Sequence, residues 1–186
     1  MGDGNAKGSG LGIVGYDSYE FVVADMERSL QFYNQMMDVP AVARLTEQEA
    51  EIRGEDGFVF NAGKAQCVCV TPRLKDSRAD RWLRRHPDGV RTVGYRVRDI
   101  QHARRVIGER GGTFCTDLVE STDQQGRPYR WFDIATPLGD VRFRFVERAA
   151  DALPPGYGLI EGVDAHNSMG FQVIDHITSN LLTIEP

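Results

Sequence analysis

Residues 171–180, FQVIDHITSN, contain the side chains best suited to chemistry, because His176 follows Asp175 directly. Imidazole nitrogen and carboxylate oxygen are both common ligands of transition metals. Apolar residues alternate with polar ones here, which predicts a β-strand whose successive side chains point to opposite faces. A metal on one face could then use His176 or Asp175 but not both. The alternative is a half-buried strand in which His176 only hydrogen-bonds to a neighbour.

The overall composition limits the classes of function. A chain of 186 residues with 41% hydrophobic content can form one compact domain or two small modules with a shared core. The net charge of -5 and the pI near 5.4 argue against nucleic acid as a partner. The start of the chain is Gly-rich and polar, and no apolar run reaches membrane-spanning length, so we expect a cytoplasmic protein without a membrane partner.

The three cysteines indicate reduced thiols rather than a disulfide framework. Cys67 and Cys69 have strand spacing and share a face, where we expect them to be buried as small apolar residues.

Upstream of the histidine, the sequence predicts a module of one strand, one helix and three strands. Residues 16–25 form the first strand, which ends at the helix-capping Asp25, and the helix runs from Met26 to about Met37 before Pro40. The three further strands are predicted at 41–46, 58–61 and 65–71.

A short helix at residues 77–86 is predicted to connect this module to the next part of the chain. It carries four arginines, namely Arg78, Arg81, Arg84 and Arg85. A solvated helix face is the simpler interpretation, and anion binding is the alternative.

The same plan then repeats, with a strand at 90–99, a helix at 100–110 and strands at 113–120, 129–135 and 141–147. Asp25 corresponds to Asp99, and 99 minus 25 gives a repeat of 74 residues that also carries Ser18 onto Thr92. Residues 149–170 are rich in Pro, Gly and small residues and are predicted to be a crossing linker. A third copy starts afterwards, in which His176 holds the position of Ser18 and Thr92.

This repeat resembles the vicinal oxygen chelate superfamily, through its β-α-β-β-β order, the strand-ending Asp25, and the S-x-x-F-Y pattern of Ser29, Phe32 and Tyr33. The resemblance implies an α+β fold with two tandem modules in a curved, cup-like mixed sheet, plus the first strand of a third module. In that superfamily a His early in each paired first strand and a Glu in a last strand hold a metal. This sequence offers Ser18, Thr92 and Phe143 instead, so we expect a metal-free half.

A more specific resemblance rests on TPLGDVRFRFVER at 136–148, LPPGYG at 153–158 and IDHIT at 174–178. Together they resemble the N-terminal half of the 4-hydroxyphenylpyruvate dioxygenase family, or of the related hydroxymandelate synthases. The resemblance implies Fe(II) held by two His and one Glu of the C-terminal half, with His176 as the first metal ligand. It also implies an aromatic 2-oxo acid and dioxygen as substrates, homogentisate as product in tyrosine catabolism, and a homo-oligomer.

The expected organisation is a flexible tail at 1–15, a non-catalytic domain at 16–148 with modules at about 16–75 and 90–148, a linker at 149–170, and the start of a truncated catalytic domain at 171–186. His86, His102 and His166 do not occupy a ligand position. We therefore expect this chain to be inactive alone and to hold no iron stably.

Two alternatives remain open from sequence. In one, the cup binds a small organic ligand without metal through Arg96, Arg142, Arg144 or Trp131, unless Val141, Phe143 and Phe145 fill it. In the other, the chain is a structural module that packs against a catalytic half, supports dimerisation and exposes an apolar surface.

Overall fold

The secondary structure follows the predicted repeat over most of its length. The computed structural model describes residues 10–178. Its strands in chain order are β1 (Ile13–Val22), β2 (Ala41–Leu45), β3 (Glu55–Ala62), β4 (Ala65–Pro72), β5 (Gly89–Val97), β6 (Val119–Thr122), β7 (Pro128–Ala135), β8 (Arg142–Arg148) and β9 (Tyr157–Leu159). The helices are α1 (Met26–Gln31), which continues into a π-helical turn at Phe32–Met36, α2 (Glu47–Arg53), α3 (Arg78–Leu83) and α4 (Ile100–Glu109).

The nine strands form one curled mixed sheet in the order β6-β7-β8-β5-β1-β4-β3-β2-β9. In each module the first strand lies parallel to the last, as β1 does with β4 and β5 with β8. The modules meet where β1 and β5 pair antiparallel. The α+β fold of two tandem modules in a cup-like sheet is thereby confirmed.

The internal repeat is visible as an approximate twofold axis at the junction of the modules. Tyr19 pairs with Val93 in the β1–β5 ladder, and 93 minus 19 is again 74, so equivalent residues face each other. Asp25 caps α1 by accepting a hydrogen bond from the backbone N–H of Arg28, and Asp99 caps α4 in the same way from His102. The spacing that revealed the repeat in the sequence therefore fixes the start of a helix in both modules.

One face of the sheet is covered by the repeat helices. Under α1, Tyr33 stacks on Phe60 at 4.3 Å beside the buried thiols of Cys67 and Cys69. Under α4, Phe132 and Phe145 are buried with the apolar face of that helix. The opposite face carries Val59, Val68 and Val70 in the first module, where α3, α2 and the segment after β8 cover it through Trp82, Ala50 and Tyr157.

Two local features differ from the sequence-based prediction. The helix α2 was not predicted, although Thr46 caps its start and Gly54 ends it with a φ of 63° that favours glycine. Residues 113–120 were predicted to be a strand, but the chain makes only a bridge between Phe114 and Ile134 before the shorter β6 begins.

No helix among residues 10–178 is long and apolar enough to span a bilayer.

The segment predicted as a crossing linker, residues 149–170, contains an additional strand. β9 pairs antiparallel with β2, so that Tyr157 lies opposite Leu45 and Leu159 opposite Ala43. The buried Tyr157 side chain and a hydrogen bond from Thr46 N to Gly156 O hold it in place. The chain therefore returns from the second module and closes the far edge of the first.

The strand expected as the start of a third module is not formed at residues 171–178. A strand is stable only when a neighbouring strand satisfies its backbone groups. Here Gln172 O accepts a backbone hydrogen bond at 2.9 Å from Lys64 N, which lies in the turn between β3 and β4. Phe171 and Ile174 pack instead against the cluster under α1. β1 begins at Ile13, so the last three residues of the predicted tail at 1–15 belong to the sheet. Residues 1–9 of that tail and residues 179–186 of the predicted catalytic start lie outside the described residues.

Candidate functional site

A cavity of about 530 Å³ lies on the inner face of the sheet, between the two modules. Its walls include the first and last strands of both modules, which the order β8-β5-β1-β4 places side by side, and β7 of the second module. The polar residues of its walls include Ser18, Glu20, Thr92, Tyr129, Asp133 and Arg144. The cavity volume is within the range typical of small-molecule sites.

Ser18 and Thr92, which the resemblance placed at the superfamily's metal-ligand positions, both line this cavity. Thr92 Oγ1 donates a hydrogen bond to the Glu20 carboxylate at 3.0 Å. Opposite Ser18 lies Gly94, where a Cβ would stand only 2.7 Å from the serine hydroxyl oxygen. Hydroxyl groups at these positions are poor ligands for iron or zinc.

The choice of Phe143 as the counterpart of the metal-binding Glu was wrong. Side chains alternate across β8, and Phe143 and Phe145 pack on the α4 side of the sheet. The β8 residue that lines the cavity is Arg144. Because Arg144 is positively charged, the conclusion that β8 offers no acidic metal ligand is unchanged.

A buried ion-pair network occupies the wall of the cavity near the junction of the modules. Arg91 Nε donates to Glu20 at 2.8 Å, and its two terminal nitrogens donate to Glu55 at 3.1 and 3.4 Å. Glu55 also accepts from the backbone N–H of Ala79 at 2.6 Å. Burial opposes ionisation of Glu20, but the positive charge of Arg91 outweighs it and lowers the pKa of Glu20.

A second pair, between Arg144 and Asp133, lies on the wall formed by the second module. The two groups make a bidentate contact at 2.7 and 2.9 Å, and the Asp133 side chain is almost fully buried. Burial disfavours the charged guanidinium, but Asp133 more than compensates and raises the pKa of Arg144. The guanidinium of Arg144 lies 6.0 Å from the ring centre of Trp131. The inner-face carboxylates Glu20 and Asp133 are thus both neutralised by arginine.

The described residues do not form an iron site of two histidines and one glutamate. No group of three or more His, Cys, Asp or Glu side chains between residues 10 and 178 is placed to hold a metal. His176 is 75% exposed, and its Nδ1 lies 2.9 Å from Asp175.

The other histidines each have a protein partner. His86 contacts Asp140 at 2.7 Å, His102 contacts Gly10 O at 2.9 Å, and His166 contacts Asp38 at 2.9 Å. Hydrogen bonding to Asp38 raises the pKa of His166.

The residues suggested for metal-free ligand binding are divided among three places. Arg144 and Trp131 line the inner-face cavity, Arg142 lines a neighbouring cavity, and Arg96 donates to Asp17 at 3.2 Å. Since Phe143 and Phe145 pack on the α4 side, they do not fill the cup.

Sequence reasoning missed the triad of Glu20, Arg91 and Glu55. The shift of 74 residues carries Glu20 onto Gly94, so the repeat did not mark it. The available signal was the position of Glu20 two residues after Ser18, which puts both on one strand face.

Comparisons with known proteins agree with this fold. The family model described as "Glyoxalase/Bleomycin resistance protein/Dioxygenase superfamily" matches residues 15–139. A 4-hydroxyphenylpyruvate dioxygenase from Dictyostelium discoideum is 27% identical over 104 residues. That match covers 53% of this chain and 28% of the relative, so the matched region spans less than a third of that protein's length.

Solved structures with similar folds include a mutant of 4-hydroxymandelate synthase from Streptomyces coelicolor, at a TM-score of 0.68 and 16% identity. The match covers 87% of this chain and 44% of that one. Methylmalonyl-CoA epimerase from Mycobacterium tuberculosis is similar at a TM-score of 0.59 and 18% identity, covering 74% of this chain and 90% of that one. At these identities the likeness shows the shared fold.

Proposed function

Because the chain belongs to the Glyoxalase/Bleomycin resistance protein/Dioxygenase superfamily, we propose that it is the metal-free half of an enzyme of the 4-hydroxyphenylpyruvate dioxygenase type. The observation that carries this proposal is the inner face of the cup. Hydroxyl groups occupy both ligand positions there, and the nearby carboxylates are bound by arginines. The similarity to the Dictyostelium dioxygenase and to the hydroxymandelate synthase supports the choice of enzyme within the superfamily.

In this proposal the iron site belongs to a catalytic half, to which this chain contributes His176 as one ligand. The exposure of His176 supports this role, since an imidazole that is not packed into the sheet can still be bound by another domain. The substrate is then an aromatic 2-oxo acid together with dioxygen. A cytoplasmic location, homo-oligomeric assembly and a place in tyrosine catabolism belong to the same proposal.

The first experiment measures bound iron and oxygen consumption of this chain alone, after incubation with Fe(II) under nitrogen and addition of 4-hydroxyphenylpyruvate in air. We expect substoichiometric iron and no consumption of oxygen above the level of free Fe(II). One tightly bound iron per chain together with turnover would overturn the proposal.

The second experiment tests His176 by adding a separately produced C-terminal part of the Dictyostelium dioxygenase that lacks its own first histidine ligand. We expect the mixture to bind iron and to form product, and His176→Ala to lose both. His166→Ala is the matched control, since it also removes an exposed histidine. Equal iron content in the His176→Ala and wild-type mixtures would contradict the assignment. The product, homogentisate or 4-hydroxymandelate, identifies the reaction.

A second candidate function, metal-free binding of a small ligand in the cup, is favoured by the direction of the side chains. Arg144 and Trp131 face the cavity while Phe143 and Phe145 do not. The chain has two tryptophans, and the Trp82→Phe variant keeps only Trp131 as the fluorescent reporter. Titration of this variant with 4-hydroxyphenylpyruvate should then give a saturable change in fluorescence. A response that stays linear up to millimolar ligand would exclude this function.

A further inference from the structure

A second cavity, of about 300 Å³, lies beside the cup between α3 and the start of β8. Its charged lining consists of five arginines and one acid, namely Arg78, Arg81, Arg85, Arg91, Arg142 and Asp140. Three of these arginines come from the connector helix region, where the sequence left anion binding as the alternative. The fold adds two more, because β5 places Arg91 next to Thr92, which pairs with Arg142 of β8.

The positive charge of this cavity is only partly compensated. Arg91 is paired with Glu20 and Glu55, while Asp140 contacts His86 at 2.7 Å and Arg85 at 3.9 Å. Arg81 donates to the backbone carbonyl of Asp76. Within residues 10–178, the guanidinium groups of Arg78 and Arg142 have neither an ion pair nor a hydrogen bond.

Holding these cations together costs electrostatic energy. Arg78 shows the effect, because desolvation and the positive charge of Arg91 lower the pKa of its guanidinium, although the negative charge of Glu20 acts in the opposite direction. The fold nevertheless fixes their positions, since Arg78 begins α3 and Arg142 begins β8. A bound anion would remove the repulsion.

We propose that this cavity binds a doubly charged oxyanion, the phosphate group of a small molecule. Guanidinium groups present paired N–H donors that match phosphate oxygens, and a phosphate monoester carries a charge of about −1.5 to −2 at neutral pH. Two unpaired arginines match that charge. Trp82 and Val141 in the same walls provide apolar surface for an organic part of the ligand. Arg78, Arg81 and Arg91 also line the inner-face cavity, but the proposed anion site does not depend on the iron chemistry of the proposed function.

Cys115 lines this cavity and provides a direct readout of its occupancy. It is the exposed member of the three cysteines, while Cys67 and Cys69 are buried. We expect phenyl phosphate or inorganic phosphate to slow alkylation of Cys115 by iodoacetamide in the wild-type chain. In Arg78→Gln and Arg142→Gln the concentration needed for half-protection should rise about tenfold, which corresponds to loss of one charge-assisted contact. Arg98→Gln, an exposed arginine after the opposite end of β5, is the control and should behave as wild type.

Thermal unfolding gives a second, independent test. Phosphate stabilises many proteins nonspecifically, so the informative quantity is the difference between variants at one phosphate concentration. Without phosphate, Arg78→Gln and Arg142→Gln should melt at or above the wild-type temperature, because they relieve repulsion. Adding phosphate should raise the melting temperature of the wild type and of Arg98→Gln more than that of Arg78→Gln or Arg142→Gln.

Three ligands at equal ionic strength identify the anion. Tighter protection by phenyl phosphate than by inorganic phosphate indicates a phosphate ester, and equal protection indicates free phosphate. Protection by chloride equal to that by phosphate would overturn the proposal, as would equal protection of wild type, Arg142→Gln and Arg98→Gln.

Discussion

Arg91 connects the two modules at the scale of a single residue. It comes from β5 of the second module, while both of its partners, Glu20 and Glu55, belong to the first. All three side chains are largely excluded from water. Such a group is costly to leave unpaired, even where the intact network adds little to stability.

We predict that Arg91→Met lowers the free energy of unfolding by about 3–5 kcal/mol, because two buried carboxylates lose their counter-charge. Urea unfolding monitored by circular dichroism measures this change. Arg98→Met, at an exposed position, should change stability by no more than about 0.5 kcal/mol. A loss of similar size in both variants would show that Arg91 contributes only ordinary packing.

Glu20 should make stability depend on pH. Its pKa is lowered in the folded state, so its contribution is present above the unfolded carboxylate pKa of about 4.3 and is lost as the pH falls below that value. The stability difference between wild type and Glu20→Gln should therefore narrow between pH 5 and pH 3, as urea midpoints would show. Glu109→Gln, which removes an exposed carboxylate outside this network, is measured in parallel as the control.

The cysteines should differ sharply in reactivity. Burial raises the pKa of Cys67 to about 11 and that of Cys69 to about 12, so almost no thiolate is present at pH 8. We predict that a thiol reagent such as dithionitrobenzoate reacts quickly with one thiol, Cys115, in the native chain and with all three after denaturation. Rapid reaction of two or more native thiols would contradict this assignment.

Residue types alone predicted part of the site. The repeat of 74 residues showed that Ser18 and Thr92 hold equivalent positions, and both line the same cavity. It could not find Arg91 with Glu20 and Glu55, because these contacts join positions 36 and 71 residues apart without a repeated partner. Phe143 was misplaced because a choice made one residue off along a strand selects the opposite face.

At the scale of the elements, the two equivalent helices α1 and α4 each begin with an aspartate N-cap. Asp25 and Asp99 each accept a backbone hydrogen bond at 2.9 Å from the residue three positions later. We predict that Asp25→Ala and Asp99→Ala each destabilise the chain by about 1 kcal/mol, whereas Asp→Asn at either position has little effect because Asn caps helices equally well. Urea unfolding of the four variants tests this. An Asn variant as unstable as its Ala counterpart would point to a role for the charge instead of the cap.

The elements that sequence did not predict share a physical cause. The strand β9 is three residues long, and its existence depends on the edge of β2 and on burial of Tyr157. Residues 171–178 alternate as a strand should, but they pair with no strand among residues 10–178. Pairing partners distant in sequence therefore decided both cases, and alternation alone could not.

At the scale of the whole molecule, buried ion pairs connect the modules on both sides of the approximate twofold axis. Besides Arg91, Arg148 of the second module donates to Asp17 of the first at 2.8 Å, and both side chains are almost fully buried. Together with the continuous β1–β5 ladder, these contacts should make the two modules unfold as one unit.

The chain's two tryptophans allow a test of this cooperativity. Trp82 packs in the core of the first module and Trp131 lies in β7 of the second. The Trp131→Phe variant reports on the first module through Trp82, and the Trp82→Phe variant reports on the second through Trp131. We predict that the urea midpoint from fluorescence equals the midpoint from circular dichroism in each variant. Separate midpoints would show that the modules unfold independently.

The path of residues 149–159 has a consequence for how this protein can be divided or recombined. The chain leaves β8 in the second module, crosses to the first through the hydrogen bond from Arg53 to Pro155 O, and ends as β9 on β2. A gene cut between residues 75 and 90 would therefore yield a first module with an open edge and an empty site for Tyr157. Although the sequence repeats twice, the unit that evolution or an engineer can exchange intact is the pair of modules together with this returning segment.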